Sequence, residues 1–538
     1  MLTLVKPMSK VFLREATGLI RELSALDAVW VNLGLVGIWF SLTFISSTAP
    51  LTGGDPLLGG LMSLILMAFI ALSFSIVAVL TPRTAGDYVF TSRYLHPALG
   101  FVGNAGYFVA TVPLFMGITI TTIESFGLSA LFAYWGLALS NQTFLHWATL
   151  LSTGVYELAV GGTLTVVFAL LTLFGNRLFR ALANVILPLV LVSVVVMFLV
   201  LALTPQSVAL SRLQTLAGNQ TLVSGVNAWG AANNNPVPSY HGFANTLALN
   251  AVYVVGFSYI ISAVYVAGEV RQVKKNMPLA IIATLVITFI IFAGSTLLSY
   301  RTFGYNFLSN LYSLSIFYAK SPFPVVPYLD FLSAAISNNV ALGSFIIIMA
   351  VIQLLWYQSN AVFIGGRLLL SYSFDRIMPS YLGDVSAKYH GPVKAILTCL
   401  VIGLIAGLVF VLPSTAAVAF LMSSAAVAII LLFPITVVGI ALLTYRFRKP
   451  EEFKANLGST WLGGPVFYIS AVVTIVYSLV MFYEYVTVPA IFGFAGNEGL
   501  ALIFVPIIVL FIIFYLAKYI NQRKGVEFNA IFTQIPPE

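Results

Sequence analysis

The stretch GFSYIISAVYVAGEVRQVKKNMPLAI, Gly256–Ile281, changes character halfway along. It begins as an apolar helix whose first residue is a glycine. It ends in a knot of charge, Glu269, Arg271, Lys274 and Lys275, closed by Asn276 and Pro278. An apolar helix with a soft point near its middle and a basic clamp at one end is a membrane-spanning pattern.

Composition agrees. The chain has 538 residues, 60% hydrophobic and only 8% charged, whereas a soluble domain carries roughly a quarter of its residues charged. A bilayer crossing takes about 20 apolar residues, and such runs recur along the whole length. The single cysteine, Cys399, excludes an intrachain disulfide. No short apolar region with a small-residue cleavage site precedes the first span, so no secretory signal is expected.

Apolar spans are predicted at 26–46, 57–80, 98–124, 147–174, 182–203, 246–267, 280–300, 340–366, 393–412, 416–444, 465–488 and 499–520, numbered here segments 1 to 12. The region 98–139 is long enough for two crossings, and charge decides against that. With twelve spans and an inner N-terminus, all of the 25 Lys and Arg fall on one side except Arg212, Arg301 and Lys320, the bias that marks the cytoplasmic face. A second crossing within 98–139 would put Arg177, Arg180 and the 271–275 cluster outside. The net charge of +8 is thus a matter of topology and calls for no nucleic-acid partner. The sequons at Asn141 and Asn219 fall in outer loops. The largest outer loop, 205–245, reads as either an ordered lid or a flexible connection.

Segment 1 carries Asn32, Gly34 and Gly37 near its centre, and segment 6 carries Gly256, Phe257 and Ser258 at a comparable depth. Paired interruptions in corresponding halves point to a transporter's binding site. A broken helix bares N–H groups on one half and carbonyls on the other. Together these can hold both charged ends of a small molecule without a charged side chain. Close helix packing by glycine is the plainer account of each position alone.

Four loops carry a family resemblance. AGEVRQVKKNMPLAI resembles the end of segment 6 in the amino acid–polyamine–organocation superfamily, through Ala267, Gly268, Lys274, Lys275, Asn276 and Pro278. TPRTAGDYVFTSRYLHPALGF resembles its loop after segment 2, through Pro82, Gly86, Tyr88 and Gly100. LFGNRLFRAL resembles the turn between segments 4 and 5. GRLLLSYSFDRIMPSYLGDVSAKYHGPVKAI resembles the loop after segment 8, through Arg367, Asp375, Pro379, Gly391 and Pro392.

The resemblance implies an all-α polytopic membrane protein of twelve transmembrane helices, a five-plus-five inverted repeat with broken segments 1 and 6. The transporter core would be 26–445, with repeats at about 26–203 and 246–445. Segments 11 and 12 (465–520) would be peripheral, and 1–25, 446–464 and 521–538 cytoplasmic. It further implies a permease moving amino acids across the plasma membrane by alternating access, with both termini cytoplasmic. No cofactor is implied beyond a coupling ion, H+ or Na+, and the partners are a small amino acid or amine and membrane lipid.

By that analogy the N–H groups of Val36 and Gly37, beside Gly34, receive a carboxylate. Carbonyls near Leu33, Val255 and Ser258 receive an ammonium. Gly256 marks the second break with Tyr259 beside it, and Phe115, Asn360 and Ser424 line the pocket by depth. The chain departs from the family where Leu35 replaces a glycine, Tyr259 replaces another, Ile261 replaces an acid, and segment 5 lacks a lysine within 182–203.

Glu124, Glu157 and Glu484 lie near outer span ends, where water is expected to reach them; Asp27 reads as a helix cap. With Ile261 at the acidic position, neutral amino acids are the expected cargo, and a polyamine or cationic amino acid exchanger is the alternative. A transport-incompetent sensor and a membrane enzyme are remoter ones. The sequence has no H-E-x-x-H, G-x-S-x-G or Walker-type loop, and its four histidines, 96, 146, 241 and 390, are scattered.

Overall fold

The computed structural model describes residues 19–233, 242–411, 416–458, 460–487 and 497–536. Among these the protein is helical, apart from an isolated bridge between Leu23 and Val270. Among the described residues eleven helices are long and apolar enough to cross a bilayer, and the pair Ala25–Val36 and Ile38–Thr52, bent by 42°, makes a further, broken span.

The region that could have been two crossings is one continuous helix, Pro97–Ala138, of 42 residues. At about 1.5 Å per residue it far exceeds a hydrocarbon core about 30 Å thick, so it continues beyond the membrane. Several other helices also outrun the ranges expected from sequence. Segment 5 is Asn176–Leu203, segment 7 Val273–Phe303 and segment 8 Val340–Phe374. Hydropathy stops at Arg177, Lys275 or Arg367, but the backbone hydrogen bonding does not. Segment 4 differs in the other direction: Gln142–Leu151 is a separate helix, and the span is Gly154–Phe174.

The periphery is apolar outward. Val185, Val192, Val195 and Leu199 form an exposed stripe on segment 5, and Ile508 and Ile512 do so on segment 12. Helical spacing with the greasy stripe outside suits a surface solvated by lipid. Arg93, in the short helix Gly86–Tyr94, and the loops bearing Arg271 and Arg376 share one end of the bundle, called here the basic face. At the opposite end the long loop is ordered into helices Gln206–Leu216 and Leu222–Ala232, with 234–241 outside the described residues. Short helices Tyr305–Tyr312 and Leu329–Ile336 close the same end.

Candidate functional site

Segment 1 breaks at one residue. Gly37 adopts φ 59 and ψ 62, a left-handed conformation that costs a residue with a Cβ roughly 1–2 kcal/mol. The first N–H groups of the second half-helix, at Ile38 and Trp39, therefore have no carbonyl one turn back. Trp39 N donates to Gln353 Oε1 at 3.1 Å. Val36 ends the first half, so its own N–H points back into that half. Its carbonyl accepts from Ser41 Oγ at 2.6 Å. The carbonyls of Leu33, Gly34 and Leu35 complete that last turn.

Segment 6 breaks without a glycine. Its α-helix is Phe243–Phe257, and a tight turn over 258–261 leads into a 3₁₀ helix, Ser262–Glu269. Tyr259 N turns to Gly256 O at 3.4 Å and Ser262 N to Tyr259 O at 3.1 Å. The carbonyls of Val255 and Ser258 thereby lose the partners an α-helix would give them. Asn32 joins the two broken spans: Ala263 N donates to its Oδ1 at 2.6 Å, and its Nδ2 donates to Thr284 Oγ1 at 3.2 Å.

Gly256 itself lies inside the helix, two residues before the turn. A Cβ there would stand 2.2 Å from the Phe292 ring, so this glycine permits segment 7 to approach. Gly256→Ala is accordingly expected to cost about 1–3 kcal/mol through overpacking. Thermal unfolding should show that loss, and Phe292→Leu in the same chain should recover most of it. An unshifted unfolding temperature in the single variant would contradict this packing.

Between the breaks stands an aromatic cluster. Phe115 meets Phe40 edge-on at 4.0 Å and Tyr357 at 4.4 Å, and stacks on Tyr259 at 5.5 Å. Phe115 sits in a π-helical turn of segment 3, Ala110–Met116, which contains Pro113. Proline lacks the N–H that an α-turn would use there, and the wider turn accommodates it. Tyr357 OH donates to Thr111 O at 3.1 Å.

Leu33, Val36, Phe115, Val255, Ser258, Tyr259 and Asn360 are all buried. Asn360 covers Gly34, where a Cβ would fall 2.6 Å from its side chain. The buried Gln353 Nε2 and Asn360 Oδ1 have no hydrogen-bond partner, and the buried Thr111 Oγ1 and Tyr259 OH face only one another and the hydroxyls of Tyr107 and Tyr357. Buried polar atoms are nearly always paired, so unmatched donors and acceptors at two helix breaks are the chemistry of a polar ligand site. Ser424 falls on segment 10, where its side chain lies outside the described residues.

Below this cluster the basic face is shut by buried ion pairs. Arg367 Nη2 donates to Glu269 Oε2 at 2.9 Å, and its Nε pairs with Oε1. Asn176 bridges both, accepting from Arg367 at 3.0 Å and donating to Glu269 at 2.6 Å. The guanidinium lies 3.5 Å over the Phe363 ring, itself stacked on Phe179 at 4.0 Å.

A second pair joins Arg93 to Asp375 through two contacts at 2.6 and 2.7 Å, with Tyr88 OH also donating to Asp375. Nearby, Asp87 accepts from Asn104 at 2.9 and 3.0 Å, and burial pushes its carboxyl up to about 6. Gly100 lets its helix meet the backbone of Ser92, 2.4 Å from where a Cβ would be.

Of the basic clamp, Arg271, Lys274 and Lys275 are exposed, whereas Glu269 is buried. Glu269, Arg367 and Asp375 are at most 1% exposed and act as latches between helices. Their partners are too distant in sequence for spacing to reveal. One sequence expectation is corrected. Glu124 and Glu157 are closed to water, at 0% and 4% exposure, and neither oxygen of Glu124 has a partner. Both lie in π-helical turns that face one another. Asp27 does cap its helix, in a reciprocal capping box with Ser24.

A helical membrane protein whose two discontinuous spans meet beside unmatched polar groups has the form of a secondary transporter. The chain matches the amino acid permease family over residues 27–531 and belongs to that family. No curated protein matches it. It is a secondary active amino-acid transporter of the amino acid–polyamine–organocation superfamily.

Proposed function

We propose that this permease carries neutral amino acids, bound where segments 1 and 6 break, across the cell membrane by alternating access. The observation that carries the reading is the pairing of breaks at Gly37 and 258–261 around buried, unpartnered polar atoms. The N–H groups following Gly37 face a substrate carboxylate. The carbonyls of Leu33, Val255 and Ser258 face its ammonium, and Phe115, Tyr259 and Asn360 contact the rest. Ile261 is buried and apolar, so a third charge on the substrate would lie unpaired at low dielectric, at a cost of several kcal/mol. Glu124 stands nine residues beyond Phe115, roughly 13 Å along the helix.

The architecture that fits is twelve spans in two inverted repeats, about 26–203 and 246–445, with segments 11 and 12 outside the core. The basic face is cytoplasmic in this reading, as are 446–464 and both termini, because the lysines and arginines concentrate there. Transport is driven either by coupling to H+ or Na+ or by exchange.

Uptake into proteoliposomes tests this. Leucine and serine should compete with a labelled amino acid substrate at least tenfold better than arginine or spermidine. Arginine competing best, with that preference lost in Glu124→Gln, would overturn the neutral selectivity and place Glu124 in the pocket.

A further inference from the structure

At the end opposite the basic face lies a second polar cluster that the central site does not use. Asp330, in helix Leu329–Ile336, is 3% exposed, and its Oδ1 has no hydrogen-bond partner. The hydroxyls of Ser333, one turn along the same helix, and of Ser315 are also buried without partners, and the buried Tyr312 hydroxyl faces Ser46. The rings of Tyr312 and Tyr328 stack at 6.4 Å, and Phe126 meets Tyr328 edge-on at 4.5 Å. Tyr312 and Tyr328 both lie within electrostatic reach of Asp330. Arg212 is not its counter-ion. That guanidinium donates to Ile336 O, at the other end of the helix and roughly 9 Å away. Burial pushes the Asp330 carboxyl up to about 7.

We propose that Asp330, Ser333, Tyr312 and Ser315 form a second, outer site that takes the primary ammonium group of an arriving amino acid. A carboxylate oxygen balances the charge, hydroxyl oxygens accept the ammonium protons, and the tyrosine faces add cation–π attraction. The site lies where the second half-helix of segment 1, Ile38–Thr52, meets the helices after segment 7. Its place outside rests on the topology proposed above; its affinity for an ammonium does not.

Propylammonium chloride is the probe, with sodium and choline chloride as controls, read by thermal shift on the purified full chain. In a Gly37→Leu background, which blocks the central site, propylammonium should still bind. Adding Asp330→Asn should weaken that binding at least tenfold, while Asp330→Glu should retain it. If Gly37→Leu does not fold, Asp330→Asn should remove one of two propylammonium-binding phases in the otherwise native chain. Unchanged propylammonium binding in either Asp330→Asn protein overturns the proposal. So does an Asp330-dependent shift with sodium and none with propylammonium, which would make this an alkali-ion site. Because binding is read without flux, a failure of uptake would count against the transport reading alone.

Discussion

Replacing Arg367 with alanine is expected to lower the stability of the purified protein by about 3–5 kcal/mol. The pair it forms with Glu269 is at most 1% exposed on either side. Removing the guanidinium leaves a carboxylate buried with only Asn176 to donate to it. Glu269→Gln should be nearly as damaging, since it strands the arginine over Phe363 instead. The double variant Glu269→Gln/Arg367→Leu should recover much of the loss, because a neutral pair of similar volume removes the uncompensated charge. Thermal unfolding of the single and double variants measures this. A single variant within 1 kcal/mol of the native chain would mean that water already reaches the pair. In uptake, the singles should also lose activity, because the basic face would no longer close.

The second large effect is expected at Gly37. An added Cβ would meet Phe40, Tyr357 and Phe115 at 3.5, 3.6 and 3.7 Å, which is ordinary contact. The alanine variant therefore suffers chiefly from its backbone, by roughly 1–2 kcal/mol, and uptake should fall by about tenfold. Gly37→Leu reaches further, into the space that Phe40, Phe115 and Tyr357 enclose, and should abolish uptake. Gly225, whose added Cβ would meet nothing within 4 Å, provides the control, and Gly225→Leu should transport normally. Full uptake by Gly37→Leu at native expression would remove the break in segment 1 from the binding site.

How much of this could be read from residues alone depends on the range of the interaction. The spans were legible because hydropathy is a local property, and the single crossing of 97–138 followed from charge. The break in segment 1 was legible because a left-handed residue nearly always needs glycine. The break in segment 6 was misplaced at Gly256 because the turn over 258–261 uses conformations open to any residue. Ser258 stood in the interrupted stretch, but nothing local marks it, rather than Gly256, as the start of the turn. Arg367 and Asp375 were visible as motif residues, but their burial depends on Glu269 and Arg93, which lie 98 and 282 positions away. Asn32 was noticed for its polarity at mid-membrane. Its tie to Ala263, 231 residues distant, became evident only in three dimensions.

That tie has a mechanical consequence. The half-helices Ala25–Val36 and Ser262–Glu269 are fastened at one end by Asn32 and at the other by Leu23, whose N–H and carbonyl bond Glu269 O and Arg271 N at 2.9 Å each. Two rods pinned together at both ends form a single plate. Its upper edge continues through the two breaks, Gly37 and 258–261, and its lower edge through 270–272 into segment 7. Neither rod can therefore swing while the other stays behind, and any opening of the basic face must carry both.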